Sequence, residues 1–475
     1  MRVLLISSYT LSEVSRTDIA PPLSLLYIAG VIRNAGHEVI ICDLTPVKVP
    51  PGVKRERCYL DYIALTIQKN MPDIVGQNCF LSSHFSFVRA VAHLTKNILP
   101  SVPFIIGGIH PTLFAEDILK NCCDIDVVIM GEGERQAVAV VESFAKNDKA
   151  ALKNIPAIAY RDNSNNPVIN KRVGFHEPLD SLPLPAWDLI SVEDYYTDHS
   201  NWYNPKKLPI TLSAPILTSR SCPYDCSFCS AKSMMGRGFR MHGPARVVDE
   251  MEYLYRKYGI NYFGFVDDNL TLDKKHILRI CNQIIRRGME IQFESFNGYN
   301  IASMDEEIVA AMCEAGCVYV IMPIEHGSDY MRNTIIGKKL PREDIYTLAC
   351  LYKKYRLLTR GVFIMGFPEE TEETLTETLQ MMYDLELDMY NVFTLIPFPG
   401  TKVFEQALRD NLFLQQIDRS KLWKGDLQLD TLRSSYFIKP YNLSTDRLDR
   451  FREKFDALRF NSSFVKSINK KTLAA

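Results

Sequence analysis

The sequence predicts an α/β protein built on two parallel sheets, and three observations predict it. Short apolar runs alternate with amphipathic helical stretches over residues 1–150, the pattern lapses over 151–212, and it resumes over 213–400. Such alternation gives parallel strands, because each strand must return across a helix to lie beside its neighbour in the same direction. The first block then folds as a Rossmann-like, doubly wound sheet. The second has about six βα units, too few for an eight-unit TIM barrel, and is expected as a partial (β/α)6 barrel, open on one side. Residues 401–475 form a charged, mainly helical C-terminal segment.

Taken in order, residues 3–6 are the first strand, running into polar Ser7 and Ser8. A helix over 23–34 is closed by Gly36, and the next strand, 39–41, ends at Asp43. Strands at 74–77, 104–106 and 127–130 each follow a helical stretch. Ligands of such sheets bind beyond the carboxyl ends of the strands, which here means residues 7–10, 78–83, 107–112 and 131–134. The turn at 163–166 and helix breakers Pro178, Pro183 and Pro185 mark 151–212 as a linker. Strands of the second block are read at 216–219, 262–266, 291–295, 319–323, 360–365 and 390–396, with amphipathic helices over 247–257, 305–315 and 370–385. There are no repeats or heptads.

A chain of 475 residues has room for two or three domains. Hydrophobic residues at 47% and charged residues at 23% are those of an ordinary globular protein. A net charge of −1 gives no electrostatic ground for nucleic acid or an anionic membrane as the main partner. No apolar run reaches the roughly 18–20 residues that span a bilayer, and the apolar part of the N-terminus is short for a secretion signal. A cytoplasmic location is the expectation. There the twelve cysteines are reduced thiols or metal ligands; Cys313 and Cys317, on one helical face, read as core. The basic pairs Arg286-Arg287 and Lys338-Lys339 read as solvated surface.

Three cysteines stand apart: Cys222-Pro-Tyr-Asp-Cys226-Ser-Phe-Cys229, just after a strand. A closed tetrahedral site needs a fourth ligand. The nearest candidates, His242 and Cys281, fall at no zinc spacing. Three thiolates on a cubane leave one iron open to a small molecule, as a catalytic cluster requires. A zinc site, or three buried thiols without metal, are the competing readings.

This segment resembles the CxxxCxxC signature of the radical S-adenosylmethionine superfamily, and the resemblance covers about residues 213–400. Phe228 is the aromatic residue expected near the adenine. Phe265-Val-Asp-Asp-Asn-Leu-Thr271 resembles the second-strand motif, Ile324-Glu-His-Gly327 the fourth-strand motif whose glutamate contacts S-adenosylmethionine, Ile364-Met-Gly-Phe-Pro-Glu-Glu-Thr371 the fifth and Pro397-Phe-Pro-Gly-Thr401 the sixth. The resemblance implies a [4Fe–4S] cluster on Cys222, Cys226 and Cys229. It implies cofactor contacts from Phe228, Asp267, Glu325, Gly366 and Pro397. Two departures stand out: Asp267-Asp-Asn269 occupies the place of a two-glycine-glutamate motif, and Glu369 the place of a glycine. The implied chemistry is reductive cleavage of S-adenosylmethionine to a 5′-deoxyadenosyl radical, with electrons from an external donor such as flavodoxin or ferredoxin.

The N-terminal block, about residues 1–145, is similar to the cobalamin-binding domain found upstream of many such enzymes. Pro21-Pro-Leu-Ser-Leu-Leu-Tyr-Ile-Ala-Gly30, Gly36-His37-Glu38-Val39, Asp43, Gly107-Gly-Ile-His-Pro-Thr112 and Gly131-Glu-Gly-Glu134 carry the similarity. It implies cobalamin contacts from Ser82, Gly107, Gly108, His110, Gly131 and Glu132; tight βα turns are the other reading of the glycines. No Asp-x-His-x-x-Gly motif is present, and Asp198-His199 are adjacent, so no histidine of this domain is expected on cobalt. The layout implies cobalamin-dependent methyl transfer to an unactivated carbon of a small-molecule substrate. Cyclisation or rearrangement is the alternative within the same layout. A methylthiotransferase acting on tRNA would need a second cluster, for which Cys42, Cys79 and Cys122 are the loose candidates. A cobalamin or iron–sulfur sensor is the non-enzymatic reading.

Overall fold

The computed structural model describes residues 1–7, 20–162, 164–172, 178–197, 203–425 and 436–460. Ser8–Thr10 of the first strand's edge, Asn163 of the turn, and Asp198-His199 lie outside the described residues. The chain divides into two units: one holds Met1–Thr197, Ser233–Gly236 and Asp418–Asp430, the other the remainder.

The first unit is a seven-stranded sheet in the order β2-β1-β3-β4-β5-β6-β7. Strands β1 (Arg2–Ile6), β2 (Glu38–Cys42), β3 (Ile74–Asn78), β4 (Phe104–Gly107) and β5 (Val127–Ile129) are parallel. They alternate with α1 (Leu23–Asn34), α2 (Arg55–Asn70), α3 (Phe85–Ile98), α4 (Ile109–Asn121) and α5 (Glu134–Ala145). The pleat sends Leu4, Ile6, Val75, Ile106 and Val128 into a core with α2, α3 and α4. It sends Val3, Leu5, Ile74, Ile105 and Val127 into the opposite core with α1 and α5. Helices on both faces make this the doubly wound sheet expected.

Residues expected to link the two blocks instead extend this sheet. Strands β6 (Ile158–Arg161) and β7 (Pro167–Ile169) add an antiparallel hairpin to β5. Its turn is held by the Asp162 carboxylate, which accepts from the backbone N–H groups of Ser164 (2.9 Å) and Asn166 (2.8 Å). Pro167 sits first in the strand, where its missing N–H costs no ladder bond.

The second unit has two three-stranded parallel sheets, β12-β11-β8 and β13-β14-β15. Their strands are β8 (Ser213–Ile216), β11 (Tyr262–Phe265), β12 (Gln292–Ser295), β13 (Tyr319–Glu325), β14 (Leu358–Met365) and β15 (Met389–Thr394). A single parallel bridge, Phe293 to Cys317, joins β12 to β13. Six parallel strands in chain order, with no closure among the described residues, are the open barrel expected. Outside it, β9 (Ser219–Arg220) pairs antiparallel with β10 (Arg240–Met241). The helices are α6 (Ala231–Met235), α7 (Pro244–Tyr258), α8 (Lys274–Arg286), α9 (Glu306–Ala315), α10 (Arg342–Lys354), α11 (Glu372–Leu385), α12 (Lys402–Arg409) and α13 (Thr445–Ala457). The first barrel strand ends at Ile216, three residues before its expected end, because the Thr218 N–H is drawn to the Asp267 carboxylate rather than to a neighbouring strand.

Candidate functional site

The three cysteines lie on the loop that follows β9 in the second unit, and the run after β11 holds that loop residue by residue. Asp267 is fully buried and accepts from the Thr218 N–H (3.1 Å), the Thr218 hydroxyl (2.7 Å) and the Ser219 hydroxyl (2.5 Å). Burial raises its carboxyl to about 6 against these hydrogen bonds. Burial also raises Asp268, which accepts from the backbone of Ser221. Asn269 Nδ2 donates to Cys222 Sγ at 3.5 Å. Asp267, expected to contact cofactor, has its Oδ1 engaged by the strand that feeds the cysteine loop.

The loop is braced on its other flanks. The Ser227 N–H donates to the Ile336 carbonyl (2.9 Å), and the Val403 N–H at the start of α12 donates to the Ser227 carbonyl (3.1 Å). Thr401 caps α12 and bonds back to Phe398, so the buried Pro397 turn after β15 is fixed to the same loop. Phe228 packs edge-on against Phe367 with ring centroids 6.2 Å apart. Asp225 is held below the usual carboxylate range by Lys402 first and by Lys232 and Arg237 as well. It is therefore engaged and is no fourth ligand. Burial pushes the Cys226 thiol up to about 12. Among the described residues, no three His, Cys, Asp or Glu side chains gather as tightly as the ligands of one metal ion. A cubane spreads its cysteines over separate iron corners, and this donor set of thiols alone fits one.

Glu325 ends β13 at φ +71°, a left-handed conformation in a non-glycine residue. Its Oε1 accepts from Lys338 Nζ at 2.8 Å. Lys338 is thus not the solvated surface residue expected: its side chain is 19% exposed and neutralised by a carboxylate. Gly327, next in the same motif, admits the backbone of α11, where a Cβ would lie 2.3 Å from Thr378 Cα. Gly366 is expected to contact cofactor; its N–H donates to Glu370 Oε2 at 2.7 Å. Glu370 in turn lies beside the buried His326, 3.5 Å away.

In the first unit, the expected ligand edge is knitted to itself. Gly108 has φ +119°, and a Cβ there would lie 2.4 Å from the Cys79 carbonyl oxygen. A Cβ on Gly107 would meet only ordinary contacts at 3.7 Å. The Gly131 N–H donates to the Thr112 hydroxyl (2.8 Å), and Glu132 beyond it is half-buried. His110 is fully buried; Nε2 lies 2.9 Å from the Trp423 carbonyl and Nδ1 3.0 Å from the Ser82 hydroxyl. A carbonyl only accepts, so the proton sits on Nε2, and Nδ1 accepts from Ser82. Burial lowers this imidazole to about 4. His110 and Ser82, expected to touch cofactor, bind each other and the 3-10 turn Arg419–Lys424, which belongs to this unit.

Residues 14–141 match the B12 binding domain family, and residues 216–382 match the Radical SAM superfamily. The chain is 32% identical over 423 residues to the "Uncharacterized methyltransferase PH0819" of Pyrococcus horikoshii, covering 87% of this chain and 84% of that protein. The chain belongs to the radical SAM superfamily, among its members with a B12-binding domain. This radical SAM enzyme is also 26% identical over 430 residues to the anaerobic magnesium-protoporphyrin IX monomethyl ester cyclase of Cereibacter sphaeroides, covering 88% of this chain and 66% of that enzyme. The structure of the radical S-adenosylmethionine methyltransferase TsrM from Kitasatospora setae, with cobalamin and a [4Fe–4S] cluster bound, shares its fold: TM-score 0.69, 19% identity, 88% of this chain and 79% of that one.

Several residues of the radical SAM domain were not singled out from sequence. Arg332 carries no spacing signal, Lys338 reads as surface, and His326 and Glu370 stand inside strand-end motifs without a role, because their partners come from other turns of the chain. Asn269 did have one, as the third polar residue of a run immediately after a strand. The candidate second-cluster cysteines, Cys42, Cys79 and Cys122, pack together with apolar side chains in one core of the B12-binding domain. Burial pushes the Cys42 thiol up to about 12. Gln77 Oε1, near the end of β3, and His84 Nδ1, in the turn that follows, are buried without a hydrogen-bond partner. Such groups fit an amide-rich ligand at this edge.

Proposed function

We propose that this radical SAM enzyme transfers methyl groups to an unactivated carbon of a small molecule, with Cys222, Cys226 and Cys229 holding a [4Fe–4S] cluster and the N-terminal domain holding cobalamin. The observation that carries the reading is a braced loop offering three thiols, with no fourth ligand beside them among the described residues, in a chain that also has a B12-binding domain. When bound, the cluster with S-adenosylmethionine supplies a hydrogen-abstracting carbon radical, and cobalamin supplies a methyl carrier. The protein's own part is to orient and to exclude water. Phe228, half-buried against Phe367, would offer a face to the adenine; Glu325 would face the sulfonium cosubstrate; the Pro397 turn would close the same side. The relatives named as methyltransferases support methyl transfer. His110 offers no nitrogen to a ligand without breaking a hydrogen bond.

The loop also needs electrons from a one-electron carrier such as flavodoxin or ferredoxin. Lys232, Arg237 and Lys402, three cations around the single carboxylate of Asp225, give its exposed face a positive excess suited to an acidic donor. No helix among the described residues is long and apolar enough to cross a membrane. Twelve free thiols suit a reducing cytoplasm.

Anaerobically reconstituted protein, given dithionite and S-adenosylmethionine, is expected to release 5′-deoxyadenosine, and to place label from methyl-labelled S-adenosylmethionine first on cobalamin. Alanine at Cys222, Cys226 or Cys229 abolishes the four-iron absorption, whereas alanine at Cys42, Cys79 or Cys122 retains it. Radical formation without any methyl on cobalamin overturns the methyltransferase reading.

A further inference from the structure

The chain from Glu325 to Leu340 makes an excursion that ends on the cysteine loop. Arg332 organises it. Its guanidinium is fully buried, donates to the carbonyls of His326 (2.8 Å), Gly327 (3.2 Å) and Leu340 (2.8 Å), and pairs with Asp329. One side chain thereby ties the start of the excursion to its end. The burial of a charge is tolerated only when its donors are met in this way. Within the loop so closed, the Lys338 N–H donates to the Arg332 carbonyl (3.0 Å), and the Ile336 carbonyl receives the Ser227 N–H from between Cys226 and Phe228. Lys338 Nζ is then 2.8 Å from Glu325 Oε1, with both side chains mostly shielded from water. Ile336, two residues before Lys338, packs in one apolar cluster with Cys226 and Phe228, so the pair stands beside the cysteine loop.

We propose that Lys338 and Glu325 form an electrostatic counterweight to the cysteine loop, with Arg332 as the residue that positions it, and that the balance of this pair sets the reduction potential of the cluster. The inference rests on the reading that Cys222, Cys226 and Cys229 hold that cluster. Reduction adds negative charge to a site that is already anionic. A nearby cation stabilises the reduced state more than the oxidised one, and a nearby carboxylate does the reverse. Because the pair is only partly exposed, solvent screens these effects less than at an open surface. The strained backbone of Glu325 and the closure by Arg332 keep the two charges at fixed places.

The test uses the full-length protein reconstituted anaerobically as wild type, Lys338→Met, Lys338→Arg, Glu325→Gln and the Met/Gln double variant. Each is titrated potentiometrically without S-adenosylmethionine, with the reduced cluster read by electron paramagnetic resonance. Lys338→Met shifts the midpoint to more negative potential, Glu325→Gln shifts it to more positive potential, and the double variant and Lys338→Arg return close to wild type. Opposite shifts that cancel in the double variant are not produced by a merely structural role. Midpoints that stay put in all variants, or single variants that move in the same direction, refute the counterweight while leaving the cluster assignment standing. A wild type with no four-iron signal refutes the assignment and the counterweight together. Should Lys338→Met fail to hold iron, the positive shift of Glu325→Gln still decides.

Discussion

Replacing His110 tests whether the sheet edge of the B12-binding domain is locked by a neutral imidazole. The ring is fully buried between Phe85 and Phe114, with centroids 4.6 Å and 5.0 Å away, and both nitrogens are hydrogen-bonded. Burial is the main reason its value falls from 6.5 to about 4. For a base whose folded value is depressed, the unfolded chain takes up a proton that the folded chain refuses. Stability is therefore fully present above about 6.5 and is lost as pH falls toward about 4. The drop of some 2.5 units is worth about 3.5 kcal/mol at about 1.4 kcal/mol per unit, of which about 2 kcal/mol falls above pH 5. His110→Gln keeps a donor for the Trp423 carbonyl and an acceptor for Ser82 but cannot titrate, so its stability should lack this component of the acid slope. His110→Phe keeps the ring contacts but orphans a buried carbonyl, which costs about 1–3 kcal/mol at every pH. His84, lowered to about 4 by burial too, contributes equally to all three proteins and cancels in the difference. Urea unfolding at pH 7.5 and 5, followed by tryptophan fluorescence with Trp423 as the adjacent reporter, measures both effects. Wild type and His110→Gln losing the same stability between the two pH values would refute the reasoning.

Three further outcomes follow from the same geometry. Gly108→Ala should destabilise by about 2 kcal/mol or more, through positive φ and the clash with Cys79, while Gly107→Ala is tolerated; equal urea midpoints would contradict this. Glu294 is buried, accepts from the Tyr262 hydroxyl at 2.8 Å, and is raised to about 7 by burial. Its folded value lies above its unfolded one, so its contribution is present below about 4.5 and lost as pH rises toward 7. Glu294→Gln should remove about 2 kcal/mol of that slope between pH 5 and 7.5, read as unfolding free energies at the two pH values. Asp267→Ala unhooks Thr218 and Ser219, and iron and sulfide content after reconstitution should fall several-fold while the isolated fold signal by circular dichroism persists.

The alternation of apolar runs made the sheets legible. Leu23–Asn34 is a helix over the expected residues, and all six barrel strands lie within three residues of where their apolar runs put them. What sequence did not show depends on distant partners. The hairpin β6–β7 has strands of four and three residues, too short to carry a period of two against the prolines around it. The turn Arg419–Lys424 carries no motif, yet its Trp423 carbonyl closes on His110, 313 positions earlier. At the candidate site the cysteine spacing was readable because all three donors belong to one loop. Lys338 was not, since a lysine beside another lysine reads as solvated surface until its carboxylate partner is known.

The motifs at the strand ends divide their labour in a way that residue type alone does not reveal. Asp267, Asp268 and Asn269 look like three ligand-facing polar residues, yet each in turn holds a position along the chain that leads into Cys222. Glu370 holds Gly366, and Gly327 gives way to α11. The physical reason is the openness demanded of the cluster. An iron left free for a small molecule gives the loop only three attachments, so the protein must fix that loop by hydrogen bonds from its own neighbours before any cofactor arrives. Asp267, Asp268 and Asn269 act here as braces of that kind. The exceptions are side chains that the brace leaves charged and shielded, and at this site the Glu325–Lys338 pair, less than one fifth exposed at either end, is one.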